Sequence, residues 1–196
     1  MKKLLSWSNL STVILGLLVV VLLVSPKAKA VMIQGLMKVG FFRPPMATTL
    51  SVTPSDFTPI DLDLMSADGT SFNVSHQKGR VIILNFWATW CPPCIAEMPS
   101  IDKLAAHFKG NLNLLIVPID VDGDFAKSIA FMKHKGYALP VFNIQGKVPQ
   151  GLVGDAIPTT VIIDKAGRIA ARHEGAADYS DPRFIAFINE LLSARY

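Results

Sequence analysis

The sequence predicts an α/β domain with a mixed central sheet flanked by helices. Two observations carry most of that reading. The run "VIILNFWA" at 81–88 is continuously apolar, the pattern of a strand buried on both faces. It hands over to a segment with Cys94, Met98, Ile101, Ala105 and Phe108 at helical spacing, one face of a helix laid on that sheet. A third observation sets the strand order. Strand-like and helix-like segments alternate onward, which favours parallel neighbours, but a hairpin precedes the last helix, so the sheet is mixed.

In chain order, "FTPIDLDL" and "SFNV" flank the turn signal Ala67-Asp68-Gly69 and read as an N-terminal hairpin. The apolar strand follows, then the helix that begins at the cysteine pair, with Pro99 expected to kink it. "LNLLIVPID" is a second central strand. "DFAKSIAFMKHKG" is a second helix, with Phe125, Ile129 and Met132 on its inward stripe and Gly136 ending it. After a short strand near "LPVFN", the segments "TTVIID" and "RIAARHE" straddle Lys165-Ala166-Gly167 as a hairpin. The final helix has Asp181 as N-cap and Pro182 at its first position, with Phe184, Ile188, Leu191 and Leu192 inward.

Ahead of the domain, Lys2 and Lys3 precede the apolar run "LSTVILGLLVVVLLV" at 10–24, followed by "SPKAKA". A positive start, an apolar centre and a small-x-small site at Ala28-Lys29-Ala30 are the layout of a secretory signal. Counted from Leu4, the run is also about long enough to anchor the chain in a bilayer. Residues 1–30 therefore read as a signal peptide or N-terminal membrane anchor and 31–55, rich in proline and small hydroxyl residues, as an irregular tether. Residues 56–196 read as one domain. Phe41 and Phe42 in the tether have no assigned role. Lys2 and Lys3 favour a cytoplasmic N-terminus, so the domain is expected to be periplasmic or extracytoplasmic, either soluble after cleavage near Ala30 or held at the inner membrane by residues 4–24. The formal net charge of +4 resides in Lys2, Lys3, Lys27 and Lys29, with no acid among residues 1–30. The neutral remainder has no electrostatic footprint for nucleic acid.

The chain has two cysteines, Cys91 and Cys94, separated by Pro92 and Pro93. A zinc site needs four ligands. His107 follows Cys94 at a finger-like interval, but no second histidine comes three to five residues later, and His134 and His173 read as ordinary surface or loop side chains. Covalent haem attachment needs histidine at 95, which is Ile95. A purely structural disulfide closing so short a loop constrains the unfolded chain by only about 2 kcal/mol, little for a domain of this size and apolarity. A reversible redox pair remains. At a helix N-terminus Cys91 lies at the positive end of the macrodipole, which favours its thiolate by roughly 0.3–2 kcal/mol. Pro92 and Pro93 offer no N–H, so the amide of Cys94 is the expected donor to the Cys91 sulfur. Cys91 reads as the exposed, attacking sulfur and Cys94, one turn inward, as the resolving one.

"NFWATWCPPCIAEMP" followed by "GDAIPTTVIID" closely resembles the membrane-associated thioredoxin-like proteins of bacteria of the TlpA and ResA type, related to the cytochrome c maturation thioredoxins. The resemblance runs from about Phe57 to the C-terminal helix. It implies a thioredoxin fold with a central insertion at about 112–149, and an exported thiol-disulfide oxidoreductase that usually works as a reductant. It further implies a cis Ile157–Pro158 peptide against the cysteine pair, with the Ile157 backbone open to strand-like pairing with substrate. Where cytoplasmic thioredoxins bury an aspartate, this chain has Asn85. Glu97 falls where the TlpA and ResA type commonly keeps an active-site glutamate, and its expected role is proton exchange with Cys94, burial having raised its pKa. Trp90 reads as substrate surface together with Pro92 and Pro93, and Trp87 as core.

The expected reaction is two-electron exchange through Cys91 and Cys94 on disulfides of exported proteins, for example in cytochrome c or metal-centre assembly. No cofactor or metal is expected beyond the disulfide itself. Recharging would need a membrane thiol carrier of the DsbD or CcdA kind. Two alternatives use the same residues: a disulfide donor of the DsbA type, and a non-catalytic binding or metal-assembly scaffold.

Overall fold

The computed structural model describes residues 7–41 and 60–195. Its centre is β3 (Val81–Trp87), in which every residue is buried. The continuous apolar run is explained by the two layers it separates. On one face Val81, Ile83 and Trp87 cluster with Cys94, Met98, Ile101 and Leu104. On the other, Ile82, Leu84 and Phe86 meet Leu62, Leu64, Val117 and Val161.

β3 pairs in parallel with β4 (Leu114–Asp120) and antiparallel with β6 (Thr159–Ile163). The hairpin of β1 (Asp63–Ser66) and β2 (Ser71–Asn73) turns at Gly69, whose φ of 85° is the left-handed conformation that glycine adopts without penalty. β1 joins the sheet through β5 (Phe142–Gln145), and β7 (Ile169–Glu174) forms the far edge beside β6. The order is β2-β1-β5-β4-β3-β6-β7, so the sheet is mixed as expected. Residues 112–149 supply β4, α4 (Phe125–Lys135) and β5, woven into the sheet rather than set aside from it.

The crossovers β3-α3-β4 and β4-α4-β5 step along the sheet in one direction. Right-handed connections then put α3 (Pro92–His107) and α4 on one face. α5 (Pro182–Ser193) joins them there through Phe184 and Ile188. Asp181 caps it as expected, accepting from the Arg183 amide at 2.8 Å. In α4 the inward stripe differs from expectation: Ile129 is 43% exposed, while Ser128 is buried and Phe131 packs on Trp87 with ring centroids 5.3 Å apart. The phase is set by two partners that the local pattern does not contain. Trp87 takes Phe131, and the buried carboxylate of Asp120 at the end of β4 accepts from the Ser128 hydroxyl at 2.6 Å.

The N-terminal segment departs further. Residues 31–38, expected to begin an irregular tether, are helical: α1 (Trp7–Val24) is followed by α2 (Pro26–Lys38). Ser25 caps α2, Pro26 occupies its first turn, and alanine, lysine, methionine and leucine sustain it. Ala30 and Met37, with Ile33, pack on Ile95 and Ala96 of α3. Because Pro99 has no N–H, the Ile95 carbonyl lacks its usual helical donor, and Gln34 Nε2 reaches it from α2 at 3.5 Å. No single described helix is long and apolar enough to cross a membrane; 10–24 and 26–37, bent by 96°, reach that length and apolarity only as a pair. Phe41 is exposed, while Phe42, the rest of the expected tether and the first residues of the expected hairpin lie outside the described residues.

Replacing Ala96 by Glu forces a carboxylate into the α2–α3 contact, where an unpaired charge costs several kcal/mol. Hydrogen exchange in the full chain is expected to speed up at least about tenfold across α2 while β3 stays protected. Unchanged α2 protection would show that the contact does not hold the helix.

Candidate active site

The site forms where β3 ends and α3 begins. A helix N-terminus leaves backbone donors unpaired, and here the capping group is a sulfur: Cys91 is the N-cap, and its Sγ accepts from the Cys94 amide at 3.2 Å. Pro92 and Pro93 fill the next two positions, so the Cys94 N–H is the first of the turn that can be offered. Cys91 and Cys94 are joined in a disulfide. The Ile157–Pro158 peptide is cis, as the resemblance implied, and the Ile157 carbonyl oxygen lies 3.7 Å from Cys91 Sγ.

Cys91 was read as the exposed sulfur, yet in the disulfide form the residue is 2% accessible and Cys94 fully buried. Its sulfur is bonded to Cys94 and faced by the loop before β6, which the local pattern around the cysteines cannot reveal. Beside it Trp90 is 58% exposed, its indole Nε1 donating to Asp122 Oδ2 at 2.6 Å. Pro92, Pro93 and Ile157 are half-buried and Pro158 is buried. Trp87 is fully buried core, as read.

Behind the disulfide lies a buried polar group. Glu97, one helical turn past Cys94, is fully buried. Asn85 Nδ2 donates to its Oε1 at 2.7 Å and the Ala177 amide to its Oε2 at 3.2 Å. Burial pushes its pKa up to about 8, with the Asn85 and Ala177 hydrogen bonds acting in the opposite direction. Asn85 is itself held in line by Thr160, its partner across β3 and β6, whose Oγ1 accepts from Nδ2 at 2.9 Å. The Tyr179 hydroxyl is also buried here, its pKa raised by desolvation and by the charge of Glu97. Ser100 ties α3 to the same loop as Ala177, its Oγ accepting from the Tyr179 amide at 3.0 Å.

The structure therefore brings Cys91, Cys94, Glu97, Ile157, Pro158 and the exposed Trp90 into one region. Sequence reasoning missed Thr160, Ala177, Tyr179 and Asp122. Each reaches the site through strand register or loop closure, for which no local motif exists. Among the described residues, no group of three or more histidines, cysteines and carboxylates is placed to hold a metal ion.

Comparison with known proteins then decides the family, since residues 49–184 match the Redoxin family model. The chain belongs to the Redoxin family. Over 131 residues it is 30% identical to the thiol-disulfide oxidoreductase ResA of Bacillus thuringiensis, covering 66% of this chain and 72% of that one. It is 34% identical over 127 residues to a homolog of the thiol:disulfide interchange protein DsbE from Paracoccus denitrificans, covering 61% and 65%. Among solved structures, a putative DsbE from Chlorobium tepidum superposes with a TM-score of 0.58 at 25% identity, covering 69% of this chain and 95% of that one. The fold is thus thioredoxin-like, and this Redoxin-family chain is a thiol-disulfide oxidoreductase of the ResA and DsbE type.

Glu97 gives this site a measurable pH signature in the disulfide form, where neither cysteine titrates. Its folded pKa lies above the unfolded one, so its contribution to stability is full below about 4.5 and is lost as pH rises towards about 8. Denaturant unfolding should show this decline in the parent and a flatter profile in Glu97→Gln. Equal slopes in the two would place the raised pKa elsewhere.

Proposed function

We propose that this protein reduces disulfides of exported proteins, with Cys91 as the attacking sulfur, Cys94 as the resolving sulfur and Glu97 as the proton acceptor for Cys94. The observation that carries the direction is that, among the described residues, the Cys94 amide is the one backbone N–H hydrogen-bonded to the Cys91 sulfur. A strongly oxidising pair owes its potential to a stabilised reduced form. Here two prolines withdraw the first two amides of the helix from the sulfur, leaving the Cys94 N–H at 3.2 Å. The Cys91 thiolate is favoured by the helix N-terminus enough to react but gains little further stabilisation, so the dithiol tends to give up its electrons.

In the reaction, Cys91 thiolate attacks one sulfur of a substrate disulfide, forming a mixed disulfide and releasing the other sulfur as a thiolate. Cys94 then loses its proton to Glu97 and attacks Cys91 Sγ. The second substrate sulfur leaves as a thiolate, the Cys91–Cys94 disulfide forms, and the two substrate thiolates take up protons from solvent. A carboxyl with a pKa near 8 is matched to this task, since it exchanges protons with a thiol at little free-energy cost. Trp90, Pro92 and Pro93 form the surface around the reacting sulfur, and the Ile157 backbone offers strand-like pairing to an extended substrate.

The same reading places the domain outside the cytoplasm and retains the N-terminal segment as an anchor. Lys2 and Lys3 favour a cytoplasmic start, residues 13–24 are apolar or glycine throughout, and cleavage after Ala30 would cut through the packing of α2 on α3. Turnover in an oxidising compartment requires two electrons per cycle, delivered by a membrane dithiol carrier of the DsbD or CcdA kind. Substrates in cytochrome c or metal-centre assembly fit this role.

Replacing Cys94 by Ala removes the resolving step, so the full chain expressed in cells should accumulate mixed disulfides with exported proteins through Cys91. The Cys91→Ala, Cys94→Ala double variant should accumulate none. Recovery of no adduct from the single variant would contradict the reductase reading.

A further inference from the structure

A groove of about 440 Å³ runs beside the active site, within the roughly 300–1,000 Å³ of clefts that enclose a ligand. Its floor is apolar, formed by Trp90, Ile95 and Phe131, and its rim carries Lys27 from α2 together with His134 and Lys135 from the end of α4. Trp90 connects it to the redox pair, being the residue before Cys91, and Asp122 pins the indole in place as a wall. Among the described residues that line the groove none is acidic, and none of the ion pairs between described residues involves Lys27, His134 or Lys135. The groove is thus an apolar floor beside two lysines that have no ion-pair partner among the described residues, adjoining the redox pair through Trp90, whose indole the Asp122 carboxylate holds.

We propose that this groove selects the substrate: it takes the segment flanking the target cysteine of a disulfide-bearing polypeptide, and favours segments that carry a large apolar side chain and a carboxylate. This rests on the thiol-disulfide exchange proposed above and deepens it. The apolar side chain is desolvated against Ile95 and Phe131, and the carboxylate is drawn to Lys27 and Lys135. Trp90 covers the flanking residue while the substrate sulfur faces Cys91. The electron count is that of the parent reaction: the Cys91 thiolate and Cys94 thiol give two electrons to the bound disulfide, the Cys94 proton passes to Glu97, and the released substrate thiolates take up protons from solvent.

The specificity has an unusual structural source, because one side of the rim comes from α2. A Redoxin-family domain lacking the N-terminal helix would lack Lys27 and the Ser25–Pro26 wall. Selectivity is then linked to the docking of α2 on Ile95 and Ala96, since Ile95 serves both the helix contact and the groove floor.

The test uses the reduced full chain in detergent and three synthetic peptides, each with one cysteine blocked as a disulfide with 2-mercaptoethanol. One flank is apolar and glutamate-bearing, one apolar and lysine-bearing, one polar and neutral. The glutamate peptide is expected to react about tenfold faster than the lysine peptide at low ionic strength, with the preference shrinking as salt is added. In the Lys27→Glu, Lys135→Glu double variant the ratio should invert, a result that loss of folding cannot produce. Equal rates for all three peptides, or a preference that survives the double charge reversal, would overturn the groove assignment. Failure of the parent chain to reduce any of the peptides, or hydroxyethyl disulfide, would instead overturn the exchange reading of the site itself.

Discussion

The Cys91 sulfur caps a helix whose first two residues are prolines, and the rest of the site is arranged around that constraint. A sulfur at a helix N-terminus normally has several unpaired amides within reach. Here it has the Cys94 amide, at 3.2 Å. The helix must therefore begin in a fixed place, and β3 fixes it: seven buried residues pinned between β4 and β6 leave no freedom in where the strand ends. The rotation of α3 is set next, by Met98, Ile101 and Leu104 against the sheet. That rotation directs Cys94 inward and carries Glu97 into the same interior.

The burial of Glu97 is the second consequence. A carboxyl brought into an apolar layer either finds donors or stays protonated, and this one does both. Asn85 and the Ala177 amide hold its two oxygens, yet desolvation still outweighs them and leaves the pKa near 8. Asn85 suits the role for a reason its neighbours make plain: its amide bridges Glu97 and Thr160, two acceptors that a carboxylate at that position could not serve. The pocket thus keeps one carboxyl beside the resolving cysteine rather than two.

How much of this could be read from the chain follows the distance over which each feature is determined. The strand, the cysteine pair at a helix start, Asp181 at the last cap and the hairpin at Gly167 rest on neighbours within a few residues, and the structure has them where the sequence placed them. Glu97 was legible through the resemblance, which places a glutamate three residues past Cys94 on the same side of the helix, and the structure buries it there. Asn85 was visible as a position, but its bond to Thr160 depends on the pairing of β3 with β6 across 75 residues. Ile129 was misplaced because Trp87 and Asp120, far along the chain, decide which side of α4 turns inward. The helix α2 was missed for a related reason. Its alternation of lysine with small residues matches a leader's end, and only the apolar face of α3 at Ile95 and Ala96, itself unexplained by the strand-facing stripe, shows that something packs there.

A Cys91 sulfur whose helix offers it only the Cys94 amide, among the described residues, makes a reducing pair. The most direct measurement is the reduction potential of the Cys91–Cys94 pair in the full chain, equilibrated against defined thiol-disulfide buffers. The account requires a value at or below about −270 mV, in the range of thioredoxin. A value near −120 mV, where the strongest protein oxidants lie, would contradict it and turn the direction of electron flow around.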